Sequence, residues 1–348
     1  MEMRTPLPTH EIFLFHEADA CLTALFPRVS RTFALTVPEL PAPLRTVVMN
    51  AYLLGRILDT IEDDTVLTLD QKFYYGQKLV KIIETKENIK EFALELAPKL
   101  AGQTRKAELE LIQHLPLVIG MISAFSELQQ KSIERCMRLM WNGMQNFLKR
   151  RSLNGLETME DVNDYCYHAA GVVGEMLTEL FADYSDEIAK HSSEMQKLAI
   201  SFGRGLQITN FLYDHWEDRQ EGLCWFPRDL YKMNLTYLKP ENYDESYEKA
   251  QTKLASIAHE NLREALQYTL LIPESEPGIR RFCYWAIILS VFALRRIEKK
   301  PSFSKNAEIK IPRTWVMIMI LMTRIFGVKD QVLIQFFNLV SPKFDSTQ

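Results

Sequence analysis

Apolar residues recur at three- and four-residue spacing along most of this chain, and this period constrains the fold more than any other feature. No segment sustains the two-residue alternation of a half-buried strand. The breaks fall at Pro, Gly, Asn or Asp clusters, where helices typically end. We therefore predict an all-α protein with helices packed around a central cavity. The predicted helices cover residues 8–25, 41–63, 70–86, 91–102, 106–114, 118–149, 159–185, 193–218, 244–270, 276–299 and 312–325.

Length and composition are those of a globular protein with a large core. The chain has 348 residues, of which 47% are hydrophobic and 25% are charged. No Pro/Gly/Ser-rich linker divides it, so we predict one domain over 1–348, with a motif-bearing core of about 20–325. Segments 86–91 and 299–309 are expected to be exposed connections. The net charge of −4 gives no overall attraction to nucleic acid.

The cysteines and the hydrophobic segments bear on the compartment. The five cysteines are scattered without C-x-x-C pairs, which argues against a zinc site or a disulfide framework and favours a reducing cytoplasm. No signal-peptide segment precedes Glu11 and Glu17. The stretch from Trp315 to Val328 is interrupted by Arg324 and is shorter than the roughly 20 residues of a membrane span. We expect a buried helix there, and a cytoplasmic protein without a transmembrane anchor, for which shallow membrane contact stays open.

Two acidic clusters lie far apart in the chain, one around Asp59 and Asp63 and the other around Asp214 and Asp218. At a spacing of four residues on a helix, both carboxylates of a pair share one face, with their Cβ atoms roughly 5–6 Å apart. Such a pair repels itself at low dielectric unless a cation lies between the groups. Magnesium takes oxygen ligands and completes its shell with water and substrate phosphates. One pair alone, however, is more often a solvated helix face.

Further polar residues extend each pair into a stripe. Tyr52 and Arg56 precede the first pair at helical spacing, and Gln207 and Asn210 precede the second. The other side of both predicted helices is apolar. Polar faces on helices this apolar favour a wet internal cavity over bulk solvent.

Four motifs in chain order resemble those of the squalene and phytoene synthase family, over roughly residues 20–325. They are Ser30-Arg31-Thr32-Phe33-Ala34, Tyr52-x-x-x-Arg56-x-x-Asp59-Thr60-x-Glu62-Asp63-Asp64, Tyr165-Cys166-Tyr167-His168-x-Ala170-Gly171-x-Val173-Gly174 and Gln207-x-Thr209-Asn210-x-x-x-Asp214-x-x-Glu217-Asp218. The resemblance implies the α-helical isoprenoid synthase fold. It also implies a magnesium-dependent prenyltransferase that acts on prenyl diphosphates.

The resemblance also implies roles for single residues. Tyr165 matches a catalytic tyrosine that assists diphosphate departure or proton handling, although a lone tyrosine is more often a core residue. Tyr52 is expected to orient the diphosphate or the cationic intermediates, and Arg56 to contact the diphosphate. The implied metal ligands are Asp59, Asp63, Asp214 and Asp218. The implied substrate contacts are Ser30, Arg31, Phe33, Val173, Gly174, Gln207 and Asn210.

A patch of small residues from Ala169 to Gly174 lies within the third motif. Each glycine costs a helix roughly 1 kcal/mol relative to alanine. The patch serves either close packing of two helices or, as in the family, a space for a prenyl tail. Both interpretations stay open from the sequence.

Within the family, the chain is more similar to squalene synthases than to phytoene synthases. The similarity lies in Cys224-Trp225-Phe226-Pro227, in the form of the first acidic motif and in Phe282-Cys283. Segment 309–313 resembles a basic segment that helps to hold NADPH, which implies cofactor contacts from Lys310 and Arg313. No G-x-G-x-x-G follows a strand, so a nicotinamide would bind outside a Rossmann fold.

The implied reaction joins two farnesyl diphosphates head to head through presqualene diphosphate to squalene, with NADPH as reductant. A second interpretation is a synthase that stops at presqualene diphosphate, or that forms dehydrosqualene or phytoene without reductant. A third is a non-enzymatic helical metal protein, although the Glu-x-x-His of di-iron bundles is absent from the sequence.

One position departs from the family pattern. Tyr213 precedes Asp214 where the family usually has arginine. The loss of a cation there is expected to weaken diphosphate binding or to alter the second half-reaction, unless Arg204, Arg219 or Arg228 substitutes.

Overall fold

The computed structural model describes residues 9–30, 32–100, 102, 104–242 and 244–344, with side chains from residue 18 onward. In this part of the chain the regular structure is helical, and the only strand-like pairing is an isolated one between Leu156 and Pro227. The predicted all-α class is confirmed.

Residue contacts group the chain into two compact units, residues 1–141 and 142–348. The boundary falls inside a helix, and no linker separates the units. The prediction of one domain over 1–348 stays a prediction.

The first unit is built around one long helix whose apolar side is buried. Its helices are α1 (Thr9–Val29), α2 (Phe33–Thr36), α3 (Ala42–Asp63), α4 (Leu69–Thr85), α5 (Ile89–Leu100), α6 (Lys106–Gln113), α7 (Leu115–Gly120) and α8 (Glu127–Leu148), the last of which continues into the second unit. On α3, Leu54, Ile57 and Ile61 are fully buried, which leaves the polar stripe on the opposite side. Helix α3 ends where the Asp64 carboxylate accepts hydrogen bonds from the backbone N–H groups of Val66 and Leu67.

The second unit is built around α12. Its helices are α9 (Met159–Cys166), a π-helical segment (Tyr167–Gly171), α10 (Val172–Tyr184), α11 (Asp186–Ala189), α12 (Ser192–Gln220), α13 (Arg228–Tyr231), α14 (Glu245–Leu271), α15 (Pro277–Lys299), α16 (Asn306–Ile309), α17 (Arg313–Ile325) and α18 (Asp330–Val340). Helix α12 packs against α10, α14 and α15. Helix α15 is long and apolar enough to cross a membrane, but 67% of its apolar window is buried inside the protein, as in a core helix.

The structure corrects several predicted elements. The predicted helix 118–149 is broken before α8, because Phe125 adopts an extended backbone. Helix α18 was not predicted. The connection expected to be exposed between α15 and α16 contains a fully buried residue, Phe303, whose carbonyl accepts a hydrogen bond from the Trp216 indole at 2.8 Å.

The prediction of a buried helix at 315–328 is also wrong. Helix α17 packs against α15 on one side only, through Trp315 on Phe292 and through the hydrogen bond from the Trp285 indole to Thr323. Its other side carries apolar residues that are exposed. Hydrophobicity alone did not reveal this, because the number of packing partners depends on tertiary structure.

Candidate active site

The first polar stripe lies along α3, on the side opposite the buried apolar residues. Tyr52, Arg56 and Asp59 are half-buried, and Asp63 is exposed at the end of the helix. The Tyr52 ring packs at 5.2 Å, between ring centroids, on both Phe26 and Phe33, and its hydroxyl donates a hydrogen bond to the Val29 carbonyl at 3.5 Å. The N-terminal motif therefore packs on the stripe through Phe33.

Arg56 joins two carboxylates of the first unit. Its guanidinium lies 3.4 Å from Asp59 and 2.5 Å from Glu108 on α6. Glu108 is buried, so the pair orients the guanidinium firmly. The Arg56 Nε atom is also buried and makes no hydrogen bond within the described structure. Glu108 was missed from the sequence, since no local pattern connects α6 to α3.

The environment of Asp59 opposes its ionisation. The pKa of Asp59 is raised to about 7, mainly by burial and also by the neighbouring carboxylates of Asp63 and Glu108, while Arg56 opposes the rise. The carboxyl group is not closed off, because 39% of the Asp59 side-chain surface remains open to solvent. A cation bound between Asp59 and Asp63 would favour the ionised form of the Asp59 carboxyl group.

The remaining acidic residues of the first cluster have structural roles. Asp64 is buried and terminates α3, and Glu62 is buried beside Lys72, whose ammonium donates a hydrogen bond to the Glu62 carbonyl at 2.5 Å. The structure thus separates the stripe pair, Asp59 and Asp63, from the rest of the run.

The second stripe lies on α12. Gln207, Asp214 and Asp218 are half-buried, and Asn210 is exposed. The Asn306 amide, at the start of α16, donates a hydrogen bond to the Asp214 carboxylate at 3.3 Å. This partner was also missed from the sequence, because it follows a connection that carries no motif.

A buried histidine fixes α12 beside the second pair. His215 accepts a hydrogen bond at Nε2 from the Tyr247 hydroxyl at 3.3 Å, and its Nδ1 donates to the Leu212 carbonyl at 3.2 Å. Its ring packs on Phe226 and Phe303. Burial lowers the pKa of His215 to about 3, so the ring is neutral and serves as an anchor for α12.

Tyr165 lies in the last turn of α9, within an aromatic cluster. Its ring centroid is 4.9 Å from that of Phe147, 5.4 Å from that of Phe211 and 4.2 Å from that of Trp225. The tyrosine is half-buried, and the π-helical segment follows directly. Such π segments are frequent at functional sites. The cluster brings the third motif, the second acidic motif and Trp225 together.

The small residues after Tyr165 serve close helix packing. A Cβ atom on Gly174 would lie 2.6 Å from the Ala199 carbonyl oxygen, and one on Gly203 would lie 2.6 Å from the Ala170 backbone. Helix α12 therefore closely approaches both α10 and the π-helical segment at backbone atoms. The half-buried neighbour Val173 retains some surface for a substrate contact, whereas at Gly174 the space is filled by α12.

None of the arginines named as substitutes lies beside Tyr213. Arg219 donates to the carbonyls of Leu153 and Thr236, and Arg228 donates to the Leu156 carbonyl and to Glu157. Arg204 lies earlier on α12, about 15 Å from Asp214 along the helix axis.

Arg296 is a cation that lies near enough to Tyr213 to affect its pKa. Burial raises the pKa of Tyr213, Asp214 and Glu217 add to the rise, and Arg296 of α15 lowers it. Arg296 donates to the Glu308 carbonyl at 2.9 Å, while its Nε is buried without a hydrogen bond in the described structure. Sequence reasoning missed this residue, since it lies in no motif.

The other predicted site residues differ in burial. Ser30 is buried, and its hydroxyl donates to the Phe26 carbonyl at 2.7 Å, whereas Arg31 lies outside the described residues. Phe33 is half-buried against Tyr52. Lys310 and Arg313 are exposed at the ends of the short connection between α16 and α17.

Each stripe offers carboxylate oxygens, which suit a hard cation that takes its remaining ligands from water and substrate. Within the described residues, no three His, Cys, Asp or Glu side chains are placed to hold a metal ion by themselves. A carboxylate pair alone leaves most of an octahedral shell to water and substrate oxygens, as is typical of Mg²⁺. The aspartate pairs therefore fit magnesium bound together with a diphosphate.

Comparisons with known proteins agree with the sequence motifs. The family model "Squalene/phytoene synthase" matches residues 26–315 of the chain. Squalene synthase of Candida albicans is 29% identical over 282 residues, which cover 78% of this chain and 60% of that protein. Squalene synthase of Cyberlindnera jadinii is 27% identical over 305 residues, or 85% of this chain and 65% of that protein. The chain thus spans about half to two thirds of the length of such relatives.

Solved structures with similar folds cover nearly the whole chain. The complex of TcSQS with the ligand BPH1237 superposes with a TM-score of 0.75 at 22% identity and covers 95% of this chain and 94% of that one. A dehydrosqualene synthase in complex with a ligand superposes with a TM-score of 0.65 at 16% identity, over 91% of this chain and 98% of that one. The expected α-helical isoprenoid synthase fold is confirmed.

Proposed function

Because the chain belongs to the squalene/phytoene synthase family, we propose that it is a prenyltransferase of the squalene synthase type. Its proposed substrates are two molecules of farnesyl diphosphate, which it joins head to head through presqualene diphosphate to squalene. The squalene synthases among its relatives support this choice within the family.

The observation that carries the proposal is the pair of aspartate stripes on α3 and α12. In each stripe, two aspartates lie on the polar side of a helix whose other side is buried, and each stripe has a fixed polar partner. Glu108 holds Arg56 beside the first stripe, and Asn306 holds Asp214 in the second. Carboxylates kept in place in this way suit a diphosphate that arrives with its metal ions.

The proposed first half-reaction begins with the departure of diphosphate from one prenyl chain. Bound magnesium would neutralise charge on the leaving diphosphate. Arg56 offers hydrogen-bond donors to the same oxygens, and the rings around Tyr165 present π faces that stabilise an allylic cation and exclude water. The double bond of the second chain attacks the cation. Loss of a proton, with Tyr165 as the proposed proton carrier, then closes the cyclopropane of presqualene diphosphate.

The proposed second half-reaction consumes a reductant. Departure of the remaining diphosphate and rearrangement of the ring leave a cation that accepts hydride from NADPH, which yields squalene and NADP⁺. Lys310 and Arg313 are exposed cations on one short connection, and their charge suits the phosphates of a dinucleotide. We place the cofactor contact there.

A second candidate function is supported by Tyr213. The cation that the family has before the second acidic motif is absent, and Arg219 and Arg228 are bound to backbone carbonyls. A weaker hold on the second diphosphate would favour release of presqualene diphosphate, or formation of dehydrosqualene, without reductant.

Incubation of the purified protein with farnesyl diphosphate and Mg²⁺, with and without NADPH, distinguishes these functions by mass spectrometry of the products. We expect presqualene diphosphate without NADPH and squalene with it. The Lys310→Ala and Arg313→Ala variants should require more NADPH and leave the first half-reaction unchanged. The same product in both incubations would favour the second candidate. Absence of any turnover would favour a non-enzymatic metal protein.

A further inference from the structure

Helix α17 has one side that packs and one side that does not. The packed side contains the buried residues Met319 and Thr323, and Trp315 contacts Phe292 of α15 with ring centroids 5.2 Å apart. Thr323 accepts a hydrogen bond from the Trp285 indole at 3.0 Å. These contacts fix the rotation of α17 about its own axis, and so they determine which residues lie outside.

The outer side of α17 is apolar, which is unusual for an exposed helix face. We call its large exposed residues the outer stripe. They are Met317, Ile318, Leu321 and Ile325, with Phe326 directly after the helix, and they expose 62%, 51%, 58%, 63% and 62% of their surface. The four helical residues recur at the spacing of one helix face, within an arc of roughly 100°. A continuous exposed stripe of this kind typically marks an interaction surface.

The charged residues in the segment that contains the outer stripe are all basic. Residues 309–329 contain the basic residues Lys310, Arg313, Arg324 and Lys329, and no acidic residue. All four basic residues are exposed. On the helix, Arg313 and Arg324 lie together at one edge of the exposed arc, beside Met317. An apolar face with basic residues along its edge is the pattern of a helix that lies in the interface of an anionic bilayer.

We propose that the outer stripe of α17 is a docking surface for an anionic lipid bilayer, with the helix axis parallel to the membrane plane. The apolar side chains would enter the boundary between headgroups and acyl chains. Arg324 and Lys329 would remain at the level of the lipid phosphates. This mode of binding needs no membrane-spanning helix, and the apolar helix α15 stays in the protein core, where most of its surface is already buried.

The inference does not depend on the proposed function, since it concerns binding to lipid and not turnover. Its test is flotation of the purified chain with vesicles of neutral phosphatidylcholine, or with vesicles that contain about one third phosphatidylglycerol. We expect flotation with the anionic vesicles and much less with the neutral ones. Each basic residue near such a surface should contribute about fivefold to the apparent affinity. Higher salt should therefore weaken the binding.

Two variants separate the contributions of the outer stripe. The triple variant Met317→Gln, Leu321→Gln, Ile325→Gln should lower the affinity for anionic vesicles at least about tenfold, because it removes apolar surface that enters the bilayer. The double variant Arg324→Gln, Lys329→Gln should lower affinity for anionic vesicles and leave binding to neutral vesicles unchanged. All five side chains are exposed, so both variants should retain the wild-type helical circular dichroism and melting temperature.

Leu94→Gln provides the matched control. Leu94 is a leucine of α5 with 77% exposure, outside the outer stripe, and its replacement should not change flotation. Equal flotation of wild type and the folded triple variant would overturn the proposal, as would failure of the wild type to float with anionic vesicles. Light scattering supplies a further check. If the wild type is a dimer and the triple variant a monomer, with no lipid binding by either, the outer stripe is an interface between two copies of the chain.

Discussion

The raised pKa of Asp59 predicts that magnesium binding at the first stripe depends on pH. With a pKa of about 7 for Asp59, the carboxyl group is ionised in about a tenth of molecules at pH 6 and in about nine tenths at pH 8. Only the ionised form is a ligand, so the apparent affinity for Mg²⁺ should rise about tenfold over this interval, with release of a proton on binding. Since 39% of the side chain is exposed, solvent screening makes tenfold an upper bound.

Isothermal titration calorimetry at pH 6 and pH 8, with inorganic diphosphate present, measures this dependence. Proton release appears as a heat that varies with the ionisation enthalpy of the buffer. Asp59→Asn should bind Mg²⁺ weakly and lose most of the pH dependence. Arg56→Gln should move the dependence to higher pH, because Arg56 lowers the pKa of Asp59. An Mg²⁺ affinity that is the same at both pH values, without proton release, would refute the reasoning.

The same pKa shift also predicts the sign of a stability change. The folded-state pKa of Asp59, about 7, lies above the ordinary value of 3.8, so folding strengthens proton binding at this group. Protonation of Asp59 therefore stabilises the folded state below about pH 4, and this stabilisation is lost as the pH rises through 7. Asp59→Asn should therefore raise the melting temperature at pH 8, and by more than at pH 5. An unchanged melting temperature at pH 8 would contradict this sign.

Three further predictions follow from contacts in the two units. Tyr165→Phe keeps the ring contacts and removes only the hydroxyl, so turnover should fall about 10²–10⁴-fold with little change in melting temperature, whereas a joint loss of folding would indicate a core role. Gly76→Ala would drive a methyl group into the buried Trp141 ring and should destabilise the protein by about 1–3 kcal/mol in urea unfolding. Gly120→Ala meets no neighbour and is the matched control, so an equal loss there would exclude the steric explanation. Arg296→Gln should weaken diphosphate binding more than Arg296→Lys, as measured by product inhibition, and equal effects would argue against a role for its charge.

The sequence by itself determined the features that depend on helix geometry. Residues four apart lie on one face of any α-helix, so the grouping of Asp59 with Asp63 and of Asp214 with Asp218 followed from spacing alone. The buried side of α3 followed from the same period, and most helix bounds were predicted to within a few residues. The motifs in chain order were sufficient to indicate the family, which the comparisons show.

The tertiary structure alone decided which distant residues meet these helices. Arg56 pairs with Glu108 across 52 residues of sequence, and Asn306 reaches Asp214 across 92. No local pattern encodes such contacts, because packing of whole helices sets them. The same holds for α17, whose hydrophobic sequence predicted a buried helix. Helix α15 packs against one side of α17, and the other side of α17 remains exposed. Burial depends on what lies opposite a residue as well as on the chemistry of that residue.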